Sequence, residues 1–291
     1  MSDIKISVCA SANRPVLQNG FKNWERFLNS LRGNKINYEV IFAGEKEPNF
    51  DVSKYPEFKW IKATVKPTQC YQLCYWEAKG ELIHWCADDC SYNDFIPNVL
   101  DKGYERWKEA EKRHGNDGKT IIALNPCEDG GFPQAKFHRF WGGWEETPVM
   151  APLGLVPRHY LCDEGQGGDK YFVSGQSEND ICMRVLEDGG RVEMALDIKL
   201  YIHHRQVHPR DNTGKERNYF RKWYPKDRER LENCWVKGGY GFYEKMNAHK
   251  SNRDARKEVV SRLSKTRLCP VEPFEKTADV CSVTQGEKGQ W

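Results

Sequence analysis

The 291-residue chain has no run of about 18 apolar residues, so a membrane-spanning helix is not expected. The first residues, Met1-Ser2-Asp3-Ile4-Lys5, run straight into a strand pattern with no secretory hydrophobic region. There is no Cys-x-x-Cys pair, which argues against a structural zinc site. The 11 cysteines are odd in number and scattered, several of them inside apolar runs (Cys9, Cys70, Cys74, Cys86, Cys182). Such cysteines behave as small buried hydrophobes in a reducing compartment, and a cytoplasmic location is expected. No internal repeat is present, and the loop after the first strand, Cys9-Ala10-Ser11-Ala12-Asn13-Arg14, contains no glycine.

What is present is a globular composition: 38% hydrophobic and 12% aromatic, with 10 Trp. The net charge of +3 conceals an asymmetry. Residues 1–204 sum to −5, residues 205–267 to +10 and residues 268–291 to −2. A basic segment of that strength suits an anionic partner or surface, or else a solvated helical face.

Hydrophobic spacing predicts strands at Ile4–Ala10, Tyr38–Ala43, Phe58–Ile61, Leu82–Cys86 and Thr120–Leu124, and a short one at Pro152–Pro157. Two more are predicted at Arg191–Ala195 and Lys199–His203. Helices are predicted over Phe21–Leu31, Thr68–Lys79, Phe95–Arg113 and Glu178–Glu187, with a turn or short helix at His159–Asp163. This alternation implies an α/β domain with a mixed, mostly parallel sheet flanked by helices. Residues 1–204 read as that domain, 205–267 as a basic, aromatic helical extension, and 268–291 as a loosely ordered tail.

The stretch Gly80-Glu81-Leu82-Ile83-His84-Trp85-Cys86-Ala87-Asp88-Asp89 carries the most information. It reads as a buried parallel strand ending in two adjacent carboxylates, and ligands gather at such strand ends. Mutual repulsion is relieved there by a hard divalent cation, which in turn bridges to a diphosphate. The plain alternative is a pair of turn residues, one capping a helix. A second block, Glu178-Asn179-Asp180-Ile181-Cys182-Met183-Arg184, opens a helix whose dipole favours negative charge. A carboxylate held there and aimed into a cleft can act as a general base. A third, Tyr201-Ile202-His203-His204-Arg205, ends a strand with imidazoles that could complete a metal site.

Together with the Ser-Val-x-x-x-x-Asn-Arg-Pro strand and loop at the start, these blocks resemble the family 2-like inverting glycosyltransferases with the GT-A fold. The resemblance covers roughly residues 4–204. It implies a Rossmann-like nucleotide-diphospho-sugar domain, a UDP-sugar donor and Mn²⁺ or Mg²⁺. Asp88 and Asp89 match the Asp-x-Asp-type motif, with Ala87 where many members have the first Asp. Asp89 is then a metal ligand and Asp88 a contact to the ribose or metal. Ala10, Ser11, Asn13 and Arg14 match the loop that touches uracil and ribose. Glu45 falls where an acidic residue reads the base edge, and Lys66 where a basic one approaches the diphosphate. Glu178 takes the catalytic-base position, with Asp180 as the other candidate, and His203 or His204 is the third metal ligand.

The aromatic run that includes Trp141 and Trp144 could line an acceptor site, or fill a core. Basic residues alternating with aromatics around Arg217–Arg230 suit a phosphate-bearing acceptor such as nucleic acid, hydroxymethylated DNA being one specific case, or another anionic polymer. They would equally suit an anionic membrane surface, or helices packed on the catalytic domain. Two other functions compete. A nucleotidyltransferase shares the carboxylate-bound metal but usually carries a glycine-rich loop after strand one. A non-catalytic nucleotide-binding or scaffold protein would have lost the carboxylates that this chain retains.

Overall fold

The computed structural model describes residues 3–14, 20, 22–63, 67–128, 153–162, 177–187, 189–203, 225–227, 229, 281–284 and 287–290. Its first strand shows how the layers arise. In β1 (Ile6–Ser11), Ile6, Val8 and Ala10 face one side of the sheet and Cys9 the other, all at 0% exposure. Period-2 alternation with both faces apolar requires cover on both sides.

One face is covered by α1 (Asn23–Leu31) and α3 (Val99–Arg113), through Trp24, Phe27, Leu28, Leu31, Val99, Leu100 and Trp107. The other is covered by α2 (Pro67–Glu77), α4 (His159–Cys162) and α5 (Ser177–Glu187), through Leu73, Cys74, Tyr160, Leu161, Ile181 and Val185. The result is a helix–sheet–helix sandwich with two apolar layers.

The other strands are β2 (Tyr38–Gly44), β3 (Phe58–Lys62), β4 (Leu82–Ala87), β5 (Cys90–Ser91), β6 (Thr120–Glu128), β7 (Leu155–Pro157), β8 (Arg191–Ile202), β9 (Cys281–Thr284) and β10 (Glu287–Gln290). Among the described residues they form one sheet in the order β10-β9-β3-β2-β1-β4-β7-β6-β8-β5. Strands β3, β2, β1 and β4 run parallel, as do β6 and β8; β9, β7 and β5 oppose their neighbours. The mixed, mostly parallel sheet expected from the sequence is therefore present. No helix among the described residues is long and apolar enough to cross a membrane.

Three differences from the sequence reading are physical. The strands expected at 191–195 and 199–203 are one strand, β8, with a bulge. Its register on β6 jumps from Leu124↔Ala195 to Asn125↔Lys199, and the Asn125 side-chain amide donates to the Leu196 carbonyl at 2.7 Å. The tail expected to be loosely ordered contributes β9 and β10, with β9 pairing onto β3. An exposed sheet edge is a ready template for such a strand. The helix expected from Phe95 starts at Val99, after Asn98 in a left-handed conformation (φ 58°).

Two features of the topology position a site. Strand order reverses between β1 and β4, and crevices form at the carboxyl ends of strands where that happens. The wedge strand β7 is short: it pairs with β4 no further than His84 and with β6 only at Ile122. Trp85, Cys86 and Ala87 lie beyond this pairing and lead to the turn Asp88-Asp89.

His84 itself is buried and neutral. Its Nδ1 lies 3.2 Å from the Gly154 carbonyl and its Nε2 2.9 Å from the Tyr92 hydroxyl. Burial pulls its pKa down from 6.5 to about 4. The unfolded chain binds this proton below pH 6.5 and the fold does not, so stability is lost as pH falls through the window from 6.5 to about 4. The loss is on the order of 3 kcal/mol. Urea unfolding at pH 7 and near pH 4 is expected to show this decline in the unaltered protein, and a shallower one in His84→Gln.

Candidate active site

The turn between β4 and β5 holds two carboxylates with different fates. Asp88 is at 0% exposure, and both its oxygens are engaged within the chain. Oδ2 accepts from the backbone N–H groups of Asn13 and Arg14, at 3.2 Å each, and from the Trp24 indole N–H at 3.1 Å. Oδ1 accepts from Arg14 Nε at 3.1 Å and pairs with its Nη2. The Asp88 carbonyl takes the Asn23 side-chain amide at 2.8 Å, and the Cys90 carbonyl takes Arg26 Nη1 at 2.9 Å. The start of α1 thus clamps the turn from below. Asp88, expected to meet the ribose or the metal, holds the β1 loop through these bonds.

That loop is tied to the next strand as well. Asn13 Oδ1 accepts the Glu45 backbone N–H at 2.7 Å, and the Ala12 N–H reaches the Ala43 carbonyl at 2.8 Å. Gly44 makes the approach possible, because a Cβ there would stand 1.9 Å from the Ala12 carbonyl oxygen. Asn13, Arg14, Glu45 and Asp88 are therefore joined at the carboxyl ends of β1, β2 and β4. Ser11 is part-exposed at the end of β1 and its hydroxyl reaches the Cys70 thiol.

Ala10 sits at 0% exposure between Phe42 and Cys86 in the ladder, facing the α1 layer, and shares that face with Ile6 and Val8.

Asp89 is 2% exposed, and its carbonyl accepts the backbone N–H of His203 at 2.9 Å. The end of β8 is brought there by pairing of β5 with β8, Cys90 opposite Ile202 and Ser91 opposite Tyr201. Two residues 114 positions apart in sequence, Asp89 and His203, thereby adjoin. Among the described residues, no three His, Cys, Asp or Glu side chains converge as a complete metal-holding group. A Mg²⁺ or Mn²⁺ that meets a diphosphate needs only one or two protein carboxylates, the rest coming from phosphate oxygens and water. Asp89 and His203 adjoin through their backbones, and a carboxylate with an imidazole is the donor set such an ion takes, particularly Mn²⁺.

Helix α5 opens with Glu178 and Asp180 in its first turn. Asp180 is 2% exposed, whereas Glu178 keeps part of its surface open. Burial pushes the Glu178 carboxyl above the usual range, opposed by hydrogen bonds from its own N–H and from Ser177. Glu178 is the more open of the two candidate bases, and burial raises its own affinity for a proton.

Several site residues escaped the sequence reading. Tyr71 of α2 donates its hydroxyl to the Cys86 carbonyl at 2.6 Å. Burial, then the neighbouring Cys86 and Glu178, push its phenol well above its usual value. Asn23, Trp24 and Arg26 gave only a helical pattern, with no sign that three of them reach one turn. Lys66, Trp141, Trp144 and His204 lie outside the described residues, as does nearly all of the 205–267 extension.

This arrangement, a 3-2-1-4 parallel core with a carboxylate turn after β4, is GT-A-like. No protein-family model matches the sequence, and no curated protein does. Solved structures do match. The chain is structurally similar to S. aureus TarS, a GT-A family 2 glycosyltransferase, at low sequence identity. Against residues 1–349 of TarS in complex with UDP-GlcNAc, the TM-score is 0.52 at 15% identity, over 89% of this chain and 72% of that one. Against a longer TarS structure the TM-score is 0.49 at 15% identity, over 89% and 50%, so the chain spans about half that protein's length. A further structure of TarS 1–349 gives 0.47 at 16%, over 70% and 62%.

Proposed function

We propose that this chain transfers a sugar from a UDP-sugar to an acceptor hydroxyl, with inversion at the anomeric carbon. The observation that carries the reading is the junction of Asp89 with His203 just after β4, in a chain whose α5 opens on Glu178 with its carboxyl held above the usual range. The TarS fold, solved in that protein with UDP-GlcNAc, supports a UDP-sugar as donor.

In this reading Asn13, Ser11 and Glu45 line the nucleotide side, and Arg14 stays with Asp88 to hold the loop's shape. Asp89 and His203 would hold Mn²⁺ or Mg²⁺, which when bound neutralises charge on the leaving diphosphate. Glu178 takes the proton from the attacking acceptor hydroxyl on the face opposite the diphosphate. A single displacement with a general base inverts the configuration, by the stereochemical logic of inverting glycosidases. The positive balance of residues 205–267 supports a polyanionic acceptor, hydroxymethylated DNA among them.

The test is UDP release from a panel of UDP-sugars with Mn²⁺, Mg²⁺ or EDTA, beside Asp89→Ala, and with or without hydroxymethylated DNA at low salt. Slow metal-dependent release from one donor, lost in Asp89→Ala and accelerated by the DNA, is expected. No release from any donor, with no UDP-induced rise in melting temperature, overturns the donor. Acceleration absent at all salt concentrations removes that acceptor.

A further inference from the structure

The sheet ends at β5, and three rings stand in a row along that edge. Phe95 is 46% exposed, one of two large apolar side chains open to solvent among the described residues. Its ring lies 5.8 Å from that of Tyr201, and Tyr201 meets the His203 ring edge-on at 4.5 Å. Ser91, opposite Tyr201 in the ladder, donates its hydroxyl to the Asp94 carboxylate and lies 3.3 Å from His203 Nε2. The Asp94 side chain is 46% exposed. An open aromatic face is thus bordered by a solvent-facing carboxylate, two ring contacts from the residue that adjoins Asp89.

Single exposed apolar residues are ordinary. This one differs in its neighbours and its place. The face of an aromatic ring is electron-rich, and the C–H face of a pyranose is its electrostatic complement. A carboxylate at the rim accepts hydrogen bonds from sugar hydroxyls. The same carboxylate repels phosphate, which disfavours a polyanion on this spot. Along the strand order, Asn13 and Glu45 lie to one side of Asp89, and the shelf lies at the opposite, β8–β5 end. A ring seated there is on the acceptor's side of the donor.

We propose that Phe95, Tyr201 and Asp94 form a platform for a neutral pyranose ring, carried by an acceptor apart from any phosphates it bears; hydroxymethylated DNA, which has no pyranose, would not use it. The acceptor role, though not the sugar binding, rests on the glycosyltransfer reading. The experiment uses the full chain labelled with ring-¹³C phenylalanine and no donor. Methyl β-glucopyranoside, methyl β-galactopyranoside and N-acetylglucosamine are titrated to tens of millimolar, with uridine as comparator. At least one pyranoside is expected to shift the Phe95 signal, identified by its absence in Phe95→Leu. Its affinity is expected to fall about tenfold in Phe95→Ala, the scale of one lost ring-stacking contact. Asp94→Asn weakens it as well, and Phe95→Trp retains it. A Phe95 signal that no pyranoside moves, equal binding to Phe95→Ala, or a larger response to uridine overturns the platform. UDP release by the unaltered chain is scored separately. Sugar binding without UDP release leaves the platform standing and sinks the donor, and the opposite result does the reverse.

Discussion

Asp88→Ala is expected to destabilise the protein by about 3–5 kcal/mol. The cost follows from what the carboxylate holds. Asp88 is fully buried and accepts from two backbone N–H groups, an indole N–H and the Arg14 guanidinium. Removing it strands a part-buried cation and several donors, and breaking a buried pair from one side costs on the order of 3–5 kcal/mol. That is a large part of a total stability of about 5–15 kcal/mol. Asn at this position keeps one acceptor oxygen but turns an amide group on the donors, so it restores little. Urea unfolding is the measurement, with a double-mutant cycle against Arg14→Ala. Coupling well above 0.5 kcal/mol is expected, since independent sites add within about that margin. An Asp88→Ala variant as stable as the unaltered chain would remove the loop-anchoring role.

The same turn shows what the sequence could and could not deliver. The apolar run Ile4–Ala10 was enough to predict a strand, and the same held at β2, β4 and β6; burial on both faces was expected only of the strand that ends in Asp88-Asp89. The apolar stripe of Trp24, Phe27, Leu28 and Leu31 was enough for α1. A strand ending in Asp-Asp and a second ending in His marked the site, because chemistry in such sheets sits at strand ends. Their convergence was not legible. Asp89 and His203 adjoin only because β5 pairs antiparallel with β8, and a two-residue strand leaves almost no periodic signal. Nor could spacing separate Asp88 from Asp89. In a turn, successive side chains diverge, and the donors that claim Asp88 come from a loop and a helix more than 60 positions earlier. Trp24 counted correctly as apolar, yet its one polar atom is what reaches that carboxylate. The β8 bulge read as a break between two strands because a bulge interrupts alternation without ending the ladder.

Glu178→Gln is expected to lower turnover by about 10²–10⁴-fold while leaving UDP affinity near its original value, the size of effect general-base removal produces. The same substitution is expected to raise the melting temperature at neutral pH. Burial lifts the Glu178 carboxyl above its ordinary value of 4.5, so the folded state binds this proton more tightly than the unfolded chain does. The stability it contributes is complete below that ordinary value and is lost as pH rises to the folded-state pKa. At neutral pH the ionised carboxylate therefore weighs against the fold, and a neutral amide of the same shape relieves it. The advantage of Glu178→Gln is expected to vanish near pH 4, where both side chains are uncharged. The rate against pH carries the matching signature: a rising limb with its midpoint above 4.5 in the unaltered chain, absent in the variant. Asp180→Asn separates the two carboxylates. Asp180 is 2% exposed, and its loss should show mainly in stability. A Glu178→Gln variant that keeps its rate, beside an Asp180→Asn variant that loses it at unchanged stability, would transfer the base to Asp180. A stable variant with lost turnover and intact UDP binding leaves Glu178 as the group that accepts the proton.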